Sequence, residues 1–201
     1  MTETADPGAR YTDIPLFPLR SVLFPDGHLP LRIFEQRYLD MVRECARNDI
    51  GFGVCLVLDD GGTHPQTARI GTLARIHDWY TYEDGLLGIT ATGASRFMIE
   101  NTRIRDNGLM LGEVIWLPEA AETEVPESCA LLTTLTARFM EKLASHYPNY
   151  HPDLLDDASW VGYRLSEWLP FKHDERQRLL EITDPLDRLQ VLMDSLPRFQ
   201  S

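Results

Sequence analysis

Lysine is almost missing from this 201-residue chain: Lys142 and Lys172 are its only two. Cations of both kinds are outnumbered, with 19 Lys and Arg against 31 Asp and Glu, a net charge of −12 and a pI near 4.8. The stretches before and after Pro118 are both net acidic. Nucleic-acid binding normally rests on clustered cations that release phosphate counterions, so the balance argues against it, and against an anionic membrane surface. No apolar run approaches the ~18 residues needed to cross a bilayer. The acidic start, Met1 to Asp6, has no apolar segment behind it and does not read as a secretory signal. Cysteine is scarce too. Cys45, Cys55 and Cys129 are odd in number and form no C-x-x-C pair. They are expected to be buried free thiols, which places the chain in the reducing cytoplasm.

Catalytic signatures are also missing. There is no G-x-x-x-x-G-K-S/T loop for phosphates, no G-x-G-x-x-G after a strand and no G-x-S-x-G elbow. Both lysines fall in segments that read as solvated helix, whereas a catalytic lysine needs desolvation. The histidines, His28, His64, His77, His146, His151 and His173, show no metal-ligand spacing. Acidic pairs such as Asp59-Asp60 and Asp156-Asp157 read as turn or helix caps. No catalytic residue, cofactor or metal is expected. The nearest thing to an acid–base group is Glu35 with Tyr38, or His28 beside Asp26.

What is present is patterning. After a tail expected over residues 1–12, Ile14–Leu19 reads as a strand that Pro15 and Pro18 confine to an edge or kink. Phe34–Arg47 carries Phe34, Tyr38, Met41, Val42 and Cys45 on one helical stripe. Phe52–Leu58 is a strand-length apolar run, ended by Asp59-Asp60-Gly61-Gly62. Two hairpins follow: Gly71–Tyr82 turning at Glu83-Asp84-Gly85 into Leu86–Thr92, and Arg96–Arg105 turning at Asn107-Gly108 into Leu109–Leu117. Residues 119–127 are acidic and read as a linker. Four amphipathic helices are expected in 128–201. The first carries Leu131, Leu132, Leu135, Phe139 and Leu143, and the last is started by Asp184-Pro185 with Leu186 among its apolar positions. The predicted fold class is α+β: a mostly antiparallel β domain with one inserted helix over residues 13–118, then a four-helix bundle.

The stretch Ile14–Tyr38 concentrates prolines and large apolar residues, with Arg20, Arg32 and Arg37 nearby. Its motifs P-L-F-P-L-R (Pro15–Arg20), V-L-F-P (Val22–Pro25) and L-P-L (Leu29–Leu31) resemble the opening of the N-terminal domain of Lon proteases. I-F-E-Q-R-Y (Ile33–Tyr38) and F-G-V (Phe52–Val54) resemble the stand-alone bacterial version of that domain. I-G-T-L-A-R-I (Ile70–Ile76), G-A-S-R-F-M-I (Gly93–Ile99), E-V-I-W-L (Glu113–Leu117), Q-R-L-L-E (Gln177–Glu181) and D-R-L (Asp187–Leu189) continue the likeness across residues 13–197. The resemblance implies a PUA-like pseudo-β-barrel followed by helices. It also implies a substrate-recognition role without the ATPase and protease domains, as in the related domain of cereblon. Unfolded or apolar polypeptide segments, and a protease or chaperone, are the partners it implies.

The expectation is therefore a non-enzymatic module for protein or peptide binding. Leu19, Arg20, Phe24, Pro25 and Leu31 would form the contact surface, with Arg37 and Tyr38 in support. Two alternatives are an RNA-binding PUA-like module and a small enzyme of unrecognised type. For Glu35, Arg37 and Asp40, a solvated helix face with Arg37–Asp40 pairing competes with the binding role. An exposed Pro18–Leu31 stretch would favour a homodimer, and a buried one would not.

Overall fold

The computed structural model describes residues 7–59, 61, 65–143, 147 and 150–199. They divide into two compact units, 1–119 and 120–201.

The first unit holds β1 (Arg10–Leu19), β2 (His28–Ile33), α1 (Gln36–Asn48), β3 (Phe52–Asp59), β4 (Gln66–Thr67), β5 (Ile70–Thr81), β6 (Leu87–Ile104) and β7 (Met110–Trp116). The strands form a barrel-like ring in the order β1-β7-β6-β5-β3, closed by a parallel pairing of β3 with β1. All other pairings are antiparallel. β2 pairs with β6 outside that ring, and β4 lies beside β3.

The prolines of β1 are neither broken strand nor simple edge. Residues from Arg10 to Leu16 pair with β7, and Leu16 to Leu19 pair with β3. Only Leu16 is paired on both sides. Pro15 and Pro18 each sit where one flank has no neighbour, so neither removes a needed ladder bond. A register shift between Tyr11 and Ile14, with Asp13 at φ 64°, supplies the kink. The strand starts at Arg10, inside the stretch expected to be tail.

Two expected strands are one. β6 runs 18 residues, through the Gly93 that reads as a break. Gly93 is there because the chain passes close: a Cβ on it would lie 2.1 Å from the Phe24 carbonyl oxygen. The backbone links Asp26 N–H to Gly93 O (2.9 Å) and Gly93 N–H to Gly27 O (2.9 Å). Both hairpins form as expected, with Gly85 and Gly108 at φ +81°.

α1 begins two residues later than its apolar stripe suggests. Glu35 is the N-cap, so Phe34 lies outside the helix and is 66% exposed. Tyr38, Met41, Val42 and Cys45 do face the core, against Phe17, Leu31, Ile33, Phe52 and Ile89. Arg105 clamps α1 to the end of β6 through both Glu44 oxygens (2.7 and 3.2 Å). That pairing holds the Glu44 carboxyl below its usual range.

The second unit is helical: α2 (Ala130–Leu143), α3 (Ala158–Trp168), α4 (His173–Glu181) and α5 (Pro185–Ser195), with short 3-10 turns. Asp157 and Asp184 cap α3 and α5 as expected. The α2 stripe is rotated from its expected position. Leu132, Thr136 and Met140 are buried while Leu131 is exposed, and Leu186 of α5 is exposed too. Residues of the expected linker are also placed. Val125 N–H bonds Asp156 O and Ala158 N–H bonds Thr123 O, next to the start of α3. Arg188 is fully buried, yet its guanidinium donates to the Leu179 and Ile182 carbonyls at the end of α4 and to the Tyr163 hydroxyl. It lies 4.0 Å from the Tyr163 ring. A charge in this place satisfies carbonyls that a helix end leaves open.

Gly93→Ala is expected to lower stability by at least ~2 kcal/mol, because backbone rather than a flexible side chain must move. Arg188→Met should cost ~2–4 kcal/mol by orphaning the α4 carbonyls. Urea midpoints with unchanged m-values would check both.

Candidate functional site

A groove of about 280 Å³ opens in the first unit. One wall is the end of β1, Phe17 to Leu19. The other is the end of β2, Leu31 to Ile33, continued by Phe34, Glu35 and the first turn of α1. Val57 of β3 and Pro65 complete the lining. Apolar side chains dominate because these segments are the rims of the core: Phe17, Leu31, Ile33 and Tyr38 belong to the same buried cluster.

The groove is rigid where its charged residues stand. Arg37 donates to Glu35 through Nε (2.9 Å) and a terminal nitrogen (2.8 Å), and to the Gly108 carbonyl (3.1 Å). Its guanidinium lies 4.6 Å from the Tyr38 ring, which stacks on Phe17 at 4.0 Å. Arg32 pairs with Asp84 and lies 5.0 Å from the Tyr82 ring. Burial pushes the Tyr38 hydroxyl above the ordinary tyrosine value of 10.0, against the pull of Arg37. The Cys45 and Cys55 thiols are pushed up to about 12 by burial.

Of the seven residues expected to form the site, Leu19, Leu31, Arg37 and Tyr38 line this groove, while Arg20, Phe24 and Pro25 do not. Phe24 is 0% exposed, which corrects its expected place on the contact surface. The turn through Asp26, at φ 58°, ties its backbone to Gly93 and sends the ring inward. Leu31 is also a buried core residue and offers only its edge to the groove. The Pro18–Leu31 stretch is not presented as one apolar patch, since Val22, Leu23, Phe24 and Leu31 are buried. Arg37 and Asp40 do not pair: Arg37 turns to Glu35, and Asp40 takes Gln36 (2.8 Å) and Arg43 (3.4 Å). The Glu35 carboxylate considered for acid–base work is therefore engaged by Arg37. No cluster of three metal-ligating side chains occurs among the described residues. His64 and His146 lie outside them, as do Asp60 and Pro148.

Sequence reasoning left eight of the twelve lining residues out of its contact surface, among them Phe34, Val57 and Pro65. Phe34 was drawn into the helix stripe by its spacing. No capping signal argued against that: Glu35, the N-cap, makes no side-chain cap hydrogen bond, and the first turn of α1 holds no acidic residue.

These features define a barrel-like β unit with an apolar groove beside its single helix, in a chain that continues into helices. A profile of the ATP-dependent protease La (LON) substrate-binding domain matches residues 13–198, and the chain belongs to that family. It is similar to the Lon N-terminal domain protein from Xanthomonas campestris, with 41% identity, a TM-score of 0.78 and coverage of 92% of this chain and 99% of that one. The N-terminal domain of Mycobacterium avium complex Lon protease shares the fold at 17% identity and TM-score 0.67, over 90% of this chain and 96% of that one. Lon protease of Cytophaga hutchinsonii is 25% identical over 92% of this chain, which spans 24% of that protein's length. Protein cereblon of Danio rerio is 28% identical over 68% of this chain and 31% of its own length. No helix among the described residues is long and apolar enough to cross a membrane.

Because the raised value belongs to the folded state, the unfolded chain loses the Tyr38 proton first as pH rises. The stability Tyr38 contributes is complete below pH 10.0 and falls between there and the raised value. Melting temperatures followed from pH 8 to pH 11.5 should therefore drop more for the native chain than for Tyr38→Phe.

Proposed function

We propose that this chain is a non-catalytic polypeptide-binding module. Its contact site is the groove between β1, β2 and α1, which takes apolar segments of unfolded protein on behalf of a protease or chaperone. The family supports the substrate-binding part of this reading. The observation that carries the site is Phe34, a ring 66% exposed in the lining of an apolar groove. Free energy would come from apolar area removed from water, at ~25 cal/mol per Å² before association costs. Arg37 and Tyr38 hold the shape: one fixes α1 to the Gly108 turn, the other stacks on Phe17.

Phe34 stands outside α1 and outside the core, so it can be changed without loss of fold. Phe34→Asp should weaken binding of fluorescently labelled, reduced and carboxymethylated lactalbumin about tenfold, as burial of one aromatic ring predicts. Circular dichroism should not change. Unaltered affinity in a folded Phe34→Asp variant would remove the groove as the site.

A further inference from the structure

Among the described residues, two strand edges without neighbours line the same groove. β2 pairs with β6 on one side, and no pairing joins it to β1. From Phe17 to Leu19, β1 pairs with β3 alone. The prolines say which way these edges face. Pro30 stands opposite Thr90 of β6, and a proline is tolerated in a ladder where its nitrogen points away from the neighbour. Residues two apart point the same way. Arg32, opposite Gly88, therefore aims its N–H and carbonyl away from β6, as Pro30 aims its carbonyl. By the same reasoning Pro18, opposite Cys55, turns its carbonyl away from β3.

An unpaired edge is a template for another strand. Here the template stands over an apolar floor that can accept alternate side chains, the arrangement used in strand addition. Charge does not narrow the occupant: of the charged side chains lining the groove, Arg32 is paired with Asp84 and Arg37 with Glu35.

We infer that the groove takes its occupant as an added β-strand: an extended segment, apolar at alternate positions, hydrogen-bonded to Arg32 and Pro30 along the open edge of β2. This rests on the polypeptide-binding reading above and adds how the polypeptide is held. The occupant's residue opposite Arg32 exchanges N–H and carbonyl with it, and the residue two places on donates to the Pro30 carbonyl. Intervening N–H groups point away and are not used.

The test uses the full chain and an acetylated, amidated peptide, Glu-Leu-Thr-Leu-Thr-Leu-Glu, followed by fluorescence anisotropy. Two further versions carry backbone N-methyl groups, one on the leucines and one on the threonines. Methylation of one set should weaken binding about tenfold, the cost of the two lost N–H hydrogen bonds, and the other set should leave it within about twofold. Equal effects from both methylated sets, or none from either, overturn strand addition. If the parent peptide does not bind while carboxymethylated lactalbumin still does, strand addition fails and the groove reading stands. If neither binds, both fall.

Discussion

The first unit depends on one strand serving two neighbours. β1 leaves β7 and joins β3 at Leu16, and only this hand-over closes the ring. Leu16 is fully buried at the junction, and the backbones around it are stripped of side chains to make room. A Cβ on Gly53 would lie 2.7 Å from Leu16, and one on Gly112 would lie 3.0 Å from it. Close packing leaves no slack there, so the crossing point is fixed to a fraction of an ångström. The hand-over also leaves the last residues of β1 with an open flank, and that flank is one wall of the groove. Closure of the ring and presence of the groove thus have the same origin.

α1 is the second fixed body. Its apolar face enters the core, while Arg105 and the Gly108 carbonyl hold its two ends of contact at the β6–β7 turn, through Glu44 and Arg37. This anchoring is why Tyr38 can stack on Phe17 and why Phe34, one step before the cap, is left standing in the open. The position of an exposed aromatic ring is thereby set by ion pairs and hydrogen bonds rather than by packing of the ring itself.

Much of this was legible in the residues. The helix stripe from Tyr38 to Cys45, the run Phe52–Leu58 and the Asp-Gly and Asn-Gly hairpins each obey one local rule and each formed. What was not legible depends on partners distant in sequence. Gly93 looks like a break until Phe24 is known to pass over it. Pro15 and Pro18 confine Ile14–Leu19 to an edge or a kink by local rules, and only the pairing with β7 and then β3 shows which flank each leaves empty. The site suffered most from this. Phe24 and Leu31 have the composition of a binding surface and are core, because apolar character alone does not distinguish the rim of a core from its interior. Arg188 carries the opposite lesson: a charged residue in an apolar helix pattern is interior here, bound to the carbonyls of α4.

The divided loyalty of β1 also has a meaning in time. A ribosome makes β1 first, and β3 soon after, but Met110 to Ile115, which must pair with its first half, come much later. At ~5–20 residues per second the delay is on the order of ten seconds. For that interval the first half of β1, apolar at Ile14 and Leu16, lacks the β7 strand it pairs with. Pro15 makes that segment a poorer template for pairing with other chains, and it removes no ladder bond from the closed ring because only one of its flanks is paired.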